Sequence, residues 1–492
     1  MLKAGFSRVD ITPPLGSHLA GYYQVRIAKG ILDPLYLNAI AFSDGEETIV
    51  WVTADVLNIR KLNANEIRGV ISKRLDLPVK NIMISALHQH TSIILANKEG
   101  DASIYSNYPY IAHLYSKFAD GAQMAVNDMK EATLFVGEQQ PSEPLSFVRR
   151  YLMKDGSIRT NPGRGTHNDI ERPLDDADNT VRLFRFKRED GDIALVNFST
   201  HPDVIGGELY SADWPGFLRT NVETDIKGTR CIFINGVEGD TNHINFMNEN
   251  IKHGYEYSKQ MGRILADAVI ELWDKAEEIP VEHIKSATDT VYSQTRMDGF
   301  EDYEKSREYL ADYNAGKCKD DPDAQSKMIV ASRIASLRDT GIFQVLPMSA
   351  INFGKVAIVG FGGEAFTHYG TSVRQACPEM KYMLTTCCTN GGEGYLPTKS
   401  AFAEGGYEVI RTIFSPTLEE ECTKMVLLLN HCLQLLRKQA EEMLKVKSLL
   451  DISVVETEEN IELSTLSVTK MVLWLKLKAF NTIQTEQHTL HC

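Results

Sequence analysis

The sequence predicts a mixed α/β fold, one large domain with mixed sheets and flanking helices. Short apolar runs bounded by Asp-Gly turns read as strands paired locally into hairpins. Longer stretches with apolar residues three and four apart read as amphipathic helices. With 43% hydrophobic and 24% charged residues in 492, the chain has the make-up of a globular protein that buries a large core.

In order along the chain, the first sixty residues are strand-rich. Asp10-Ile11-Thr12-Pro13-Pro14 is a turn stiffened by proline. Apolar runs at 39–42 and 48–52 flank Asp44-Gly45, a hairpin signal, and Asp55 follows the second run. Residues 82–87 form an apolar run that reads as a buried strand. From Tyr110 to about Met129, Leu114, Phe118, Ala122, Ala125 and Met129 recur at helical spacing. Asp155-Gly156 lies within 148–160, and Asp190-Gly191 lies between apolar runs at 181–186 and 193–198. Residues 231–234 are another short strand. Met261, Leu265, Val269, Leu272 and Trp273 share one helical face within 254–278. The charge-rich stretch 299–340 reads as a solvated helical excursion, and 355–359 as a strand. Thr417 and Glu420 stand at capping-box spacing before a stripe of Leu418, Cys422, Met425, Leu429, Cys432 and Leu436. The pattern fades after Lys447, so the expected domain is 1–440, with 441–492 a poorly specified tail. No internal repeat is legible.

The formal net charge is −14. That argues against a nucleic-acid partner and against electrostatic docking on anionic lipid, since both need surplus Lys and Arg. It leaves room for a neutral or amphiphilic substrate. Eight cysteines, at 231, 318, 377, 387, 388, 422, 432 and 492, form no zinc-type Cys-x-x-Cys pair and read as reduced core thiols. No basic stretch leads into an apolar one after Met1, and no apolar run reaches the length of a membrane span. The expected location is therefore the cytoplasm as written, or a secreted or periplasmic one if a leader was removed. Oligomeric state is not legible.

Four strand ends carry residues suited to chemistry. The 82–87 run ends in His88-Gln89-His90, whose imidazoles would point the same way roughly 6.6 Å apart on a continuing strand. The 193–198 run ends in Ser199-Thr200-His201-Pro202, the 231–234 run leads to Gly239-Asp240-Thr241-Asn242, and the 355–359 strand ends in Gly360-Phe361-Gly362-Gly363-Glu364. Ligands gather at the carboxyl ends of strands in sheets covered by helices. Two histidines and a carboxylate suit a catalytic zinc that keeps one position for water. The plainer alternatives are a polar strand terminus at His88 and His90, a core histidine at His201 and an ion-paired acid at Glu364. Gly360 to Ala365 also matches the dinucleotide pattern G-x-G-x-x-A. It comes late in the chain, and no acid closes the next strand.

The opening Gly5-Phe6-Ser7-Arg8-Val9-Asp10-Ile11-Thr12-Pro13-Pro14, then Ser85-Ala86-Leu87-His88-Gln89-His90, His201-Pro202 and Gly363-Glu364 resemble the neutral/alkaline non-lysosomal ceramidase family. Gly394-Tyr395-Leu396-Pro397-Thr398, running on to Gly406-Tyr407-Glu408, is similar to that family's tyrosine-bearing loop. The resemblance implies a zinc-hydrolase catalytic domain with Zn2+ held by His88, His201, Glu364 and Tyr395. It implies His90 beside the metal, moving protons or holding the scissile amide, and Arg149 and Tyr407 donating to the amide carbonyl. The implied reaction is hydrolysis, by metal-activated water, of an N-acyl sphingoid base or similar lipid amide to a fatty acid and an amine.

The sequence departs from the family at three points. Asn242 stands where the ceramidases carry a serine implicated in catalysis; an amide can hydrogen-bond a substrate but is no nucleophile. No C-terminal immunoglobulin-like domain is expected, because such a sandwich takes about 100 residues. The family is usually exported, and no leader is seen. Two alternatives therefore stand beside a ceramidase-like enzyme: an amidase for a smaller non-lipid substrate on the same scaffold, and a catalytically inactive metal-binding homologue.

Overall fold

The computed structural model describes residues 1–95, 108–321 and 323–429. The expected tail at 441–492, and Cys432 and Leu436 of the expected apolar stripe, lie outside them. Strands β1 (Lys3–Asp10), β2 (Tyr36–Ser43) and β3 (Thr48–Ala54) form an antiparallel meander, with Asp44-Gly45 at the β2–β3 turn. Helix α1 (Lys61–Leu75) then crosses over, and β4 (Ile82–Ala86) pairs with β3 in parallel. After α2 (Tyr108–Asn127), β5 (Lys130–Glu131) adds to the β1 edge.

The same order recurs once in full and once more without the last edge strand. Strands β6 (Thr133–Gln139), β7 (Val181–Lys187) and β8 (Ile193–Phe198) form a second meander. Helix α3 (Asp213–Asp225) leads to β9 (Arg230–Asn235), parallel to β8. Helix α4 (Tyr255–Leu272) precedes β10 (Glu277–Ile279) on the β6 edge. Strands β11 (Lys285–Gln294), β12 (Phe343–Asn352) and β13 (Val356–Phe361) form the third meander. Helices α5 (Tyr303–Asn314) and α6 (Ala324–Ser336) lie between β11 and β12, as the charged stretch predicts. Helix α7 (Thr367–Ala376) crosses over to β14 (Tyr382–Thr386), parallel to β13. A parallel pair cannot be closed by a tight turn and needs such a crossover. The repetition is one of topology, which side chains need not echo, so the sequence shows none.

Alternating residues of each sheet face a shared centre. Phe6, Ile40, Phe42 and Trp51 from the first sheet, Phe184, Phe186, Leu195 and Ile234 from the second, and Ile351, Ile358 and Leu384 from the third pack into one cluster. The opposite faces take helices. Leu114, Phe118, Ala122 and Ala125 of α2 cover the first sheet, and Met261, Leu265 and Val269 of α4 cover the second.

Some expectations change in detail. Met129 lies beyond the end of α2 and packs against the core only in part. The capping box at Thr417 does not form: its hydroxyl goes to Glu421 Oε1 at 2.7 Å, while Glu420 pairs with Lys399 at 2.8 Å. The described cysteines are free, and all but Cys318 are buried. In the glycine-rich turn, a Cβ on Gly360 would meet Thr389 at 2.7 Å and one on Gly362 would meet Pro347 at 2.4 Å. These glycines serve close packing of protein on protein.

Candidate metal centre

The carboxyl ends of the three parallel pairs meet. The backbone N–H of Ala86, the last residue of β4, donates to the carbonyl of Cys388, which follows β14. Cys388 N–H in turn donates to Gly363, and Gly239 N–H donates to Ala365. Each parallel pair thus delivers the residue just past a strand end to one place.

His88 follows β4, but the chain no longer runs as a strand there. Its backbone sits in the left-handed region at φ 69°, which side-chain-bearing residues occupy only at a cost. The alternation argument for His88 and His90 therefore fails. The bend brings their rings together, with centroids 5.2 Å apart. His90 N–H donates to the Pro202 carbonyl at 3.1 Å, tying this bend to the loop that bears His201.

His88 and His201 meet edge to face, 5.0 Å between centroids. Their Nε2 atoms each lie 3.5 Å from Glu364 Oε2. That is longer than a normal hydrogen bond, and this buried oxygen has no hydrogen-bond partner. Tetrahedral zinc with bonds of about 2.0–2.2 Å puts neighbouring ligand atoms about 3.3–3.5 Å apart. Each of the two spacings to Glu364 matches that of neighbouring metal ligands, and the three ring nitrogens that lie within 4.8 Å of one another here are those of His88, His90 and His201. The His201 tautomer also fits. Its Nδ1 lies 2.9 Å from the Glu238 carbonyl, which can only accept, so Nε2 presents its lone pair inward. Burial pushes the His88 imidazole down to about 4 and the His90 imidazole to about 3, leaving both neutral near pH 7. Burial alone would raise Glu364, but His88, His201 and Arg149 hold its carboxyl down at about 2.

Tyr395 is placed beside this group by a short parallel bridge, Glu364 opposite Tyr395. Burial and the nearby Glu364 push its phenol well above the ordinary value, against the pull of Arg149. The Arg149 guanidinium lies 5.3 Å from the centre of the Tyr395 ring and 3.4 Å from His201 Nε2. Burial works against its charge, yet Tyr395, Glu408 and Glu364 keep the group firmly protonated. Tyr407 packs on Tyr395 at 5.6 Å between centroids. His90, Tyr395 and Tyr407 are partly accessible, so the site opens on their side.

Two expected site residues have side chains engaged with other partners: Arg149, whose Nη2 donates to the Gly239 carbonyl at 2.8 Å, and Asn242. Its Nδ2 donates to Asn161 at 2.7 Å and its Oδ1 accepts Ile244 N–H at 2.9 Å. Asn161 N–H in turn donates to the Arg149 carbonyl at 2.8 Å, so Asn242 braces the strand that presents Arg149. Asp240 likewise serves the fold, accepting from Thr367 at the start of α7.

Several residues in the neighbourhood were not anticipated. Glu408 is fully buried and takes Arg149 Nε at 2.8 Å and Thr160 Oγ1 at 2.8 Å. Its position directly after Tyr407 was the one available signal. His88, Glu238 and Cys388 form a second buried group of potential ligand atoms, whereas His90, expected beside the metal, has a ring nitrogen within 4.8 Å of ring nitrogens of both His88 and His201. Glu238 and Cys388 each stand next to strand ends, but nothing in the local sequence marks them.

No protein-family model and no curated protein matches this sequence. Solved structures do match its fold. The neutral ceramidase from Pseudomonas aeruginosa is similar with a TM-score of 0.62 at 16% identity, over 86% of this chain and 73% of that one. A ceramidase complexed with C2 is similar with a TM-score of 0.65 at 14% identity, over 88% and 75%. At such identity the likeness establishes the fold alone, that of the ceramidases. Among the described residues there is no immunoglobulin-like sandwich, and no helix is long and apolar enough to cross a membrane.

Proposed function

We propose that this protein is a zinc-dependent hydrolase of N-acyl amides, with a ceramide-like lipid amide as the substrate class. The observation that carries this reading is the unpartnered Glu364 oxygen held 3.5 Å from two imidazole nitrogens. The shared fold with ceramidases supports the choice of amide. His88, His201, Glu364 and Tyr395 would hold the ion. When bound, zinc supplies a Lewis acid that polarises a carbonyl and lowers the pKa of water.

The chain's own groups do the rest. Arg149 stays charged and, with the Tyr407 hydroxyl, donates toward the oxygen that turns negative as water adds to the amide carbon. His90, neutral and on the open side, would hold the scissile amide beside that water, whose proton passes to the amine nitrogen as the C–N bond breaks. Asn242, engaged with Asn161, supplies no nucleophile; the reaction runs through water. The test is turnover of fluorogenic N-acyl amides of graded chain length. Turnover that is lost on chelation and restored by zinc is expected, strongest with long acyl chains. Preference for short polar acyl groups would favour an amidase for small substrates, and zinc binding without turnover an inactive homologue.

A further inference from the structure

The hairpin formed by His18–Leu19 and Arg26–Ile27 lays its tip against the open side of the site. Gly21, at φ 103°, permits the approach, since a Cβ there would lie 2.8 Å from the His90 ring. Tyr22 packs edge-on to His90 at 5.2 Å, and Arg26 donates to the His90 carbonyl at 2.7 Å. Tyr23 goes further. Its hydroxyl lies 2.8 Å from the Tyr407 hydroxyl, and the Arg411 guanidinium lies 5.9 Å from the centre of its ring.

Only one of two such hydroxyls donates. A Tyr407 that gave its proton to Tyr23 would have none for a substrate. The Arg411 cation favours the arrangement in which negative charge builds on the Tyr23 oxygen, which is the one where Tyr23 donates. Tyr407 then accepts, its own O–H is directed away from Tyr23, and accepting one hydrogen bond strengthens the one it gives. We propose that Tyr23 is a positioning residue, whose hydroxyl donates to Tyr407 and so aims the Tyr407 proton at the substrate carbonyl oxygen. The inference rests on the role given to Tyr407 above.

A double-mutant cycle of Tyr23→Phe and Tyr407→Phe tests it with two readouts on the zinc-loaded protein. One is kcat and KM for a fluorogenic N-acyl amide. The other is the calorimetric Kd of a long-chain acyl hydroxamate, whose carbonyl oxygen occupies the acceptor position without turnover. Tyr23→Phe keeps the ring and should lower kcat about five- to tenfold, with KM within about twofold, and weaken the hydroxamate by a similar factor. Added to Tyr407→Phe, it should change neither quantity further. Wild-type behaviour of Tyr23→Phe, or effects of the two changes that multiply, would overturn the inference. A wild type without turnover would sink the amidase reading, and the hydroxamate cycle would still decide on Tyr23.

Discussion

Gln89 stands between two site histidines and turns away from both. Its Nε2 donates to Asp55 Oδ1 at 2.9 Å, and Arg219 clamps the two oxygens of that carboxylate at 2.9 and 2.6 Å. All three side chains are buried. The clamp holds the bend at His88 in a backbone conformation that costs about 1–2 kcal/mol for a residue with a Cβ. Gln89→Leu removes the tether while keeping the volume. It should weaken zinc binding about 10–100-fold, as loss of a group behind a metal ligand does, with the protein still folded. Chelator competition measures this, and wild-type zinc affinity in the mutant would refute the tether. Nothing in His88-Gln89-His90 marks the middle residue for this role. Its partner Asp55 was noted only as a residue following a strand, because a contact across 34 positions leaves no local trace.

At the scale of elements, the site is made by strand ends packed close enough that only glycine fits between them. A Cβ on Gly239 would lie 2.2 Å from the Glu364 carbonyl oxygen, a backbone atom that cannot swing aside. Gly239→Ala should therefore lower stability by about 1–3 kcal/mol and reduce zinc content together with it. Gly206 has nothing within 4 Å of its Cβ position, so Gly206→Ala serves as the control with an unchanged melting temperature. Equal melting curves for the two variants would show that the strand ends are not in tight register. The hairpins at Asp44-Gly45 and Asp190-Gly191 were legible because turn chemistry is local. The parallel pairing of β3 with β4, β8 with β9 and β13 with β14 was not, since apolar runs do not state their partners.

For the molecule as a whole, three sheets share one core and point their parallel edges at one spot, where buried imidazoles and a carboxylate are a load on stability. In the metal-free protein His88 is buried, His90 is partly so, and both are neutral, titrating near 4 and 3 against an ordinary 6.5. Between those values the unfolded chain binds protons that the folded chain refuses. Stability therefore rises with pH across that window and is lost as pH falls from 6.5 toward 4. Glu364, held at about 2 against 4.5, adds loss in the same direction below pH 4.5. Thermal melts of the metal-free protein should show a melting temperature that drops steadily from pH 7 to pH 4, and less so in His88→Leu. A flat profile would mean that the imidazoles are not buried as described.

Every step of the chemistry presupposes that the ends of these three sheets gather around a single ion. Elemental analysis of the purified protein and of its His201→Ala and Glu364→Gln variants addresses that directly. One zinc per chain in the wild type and a large loss in both variants, with folding retained, is the predicted result; a zinc-free wild type, or variants that keep their full complement, would contradict it.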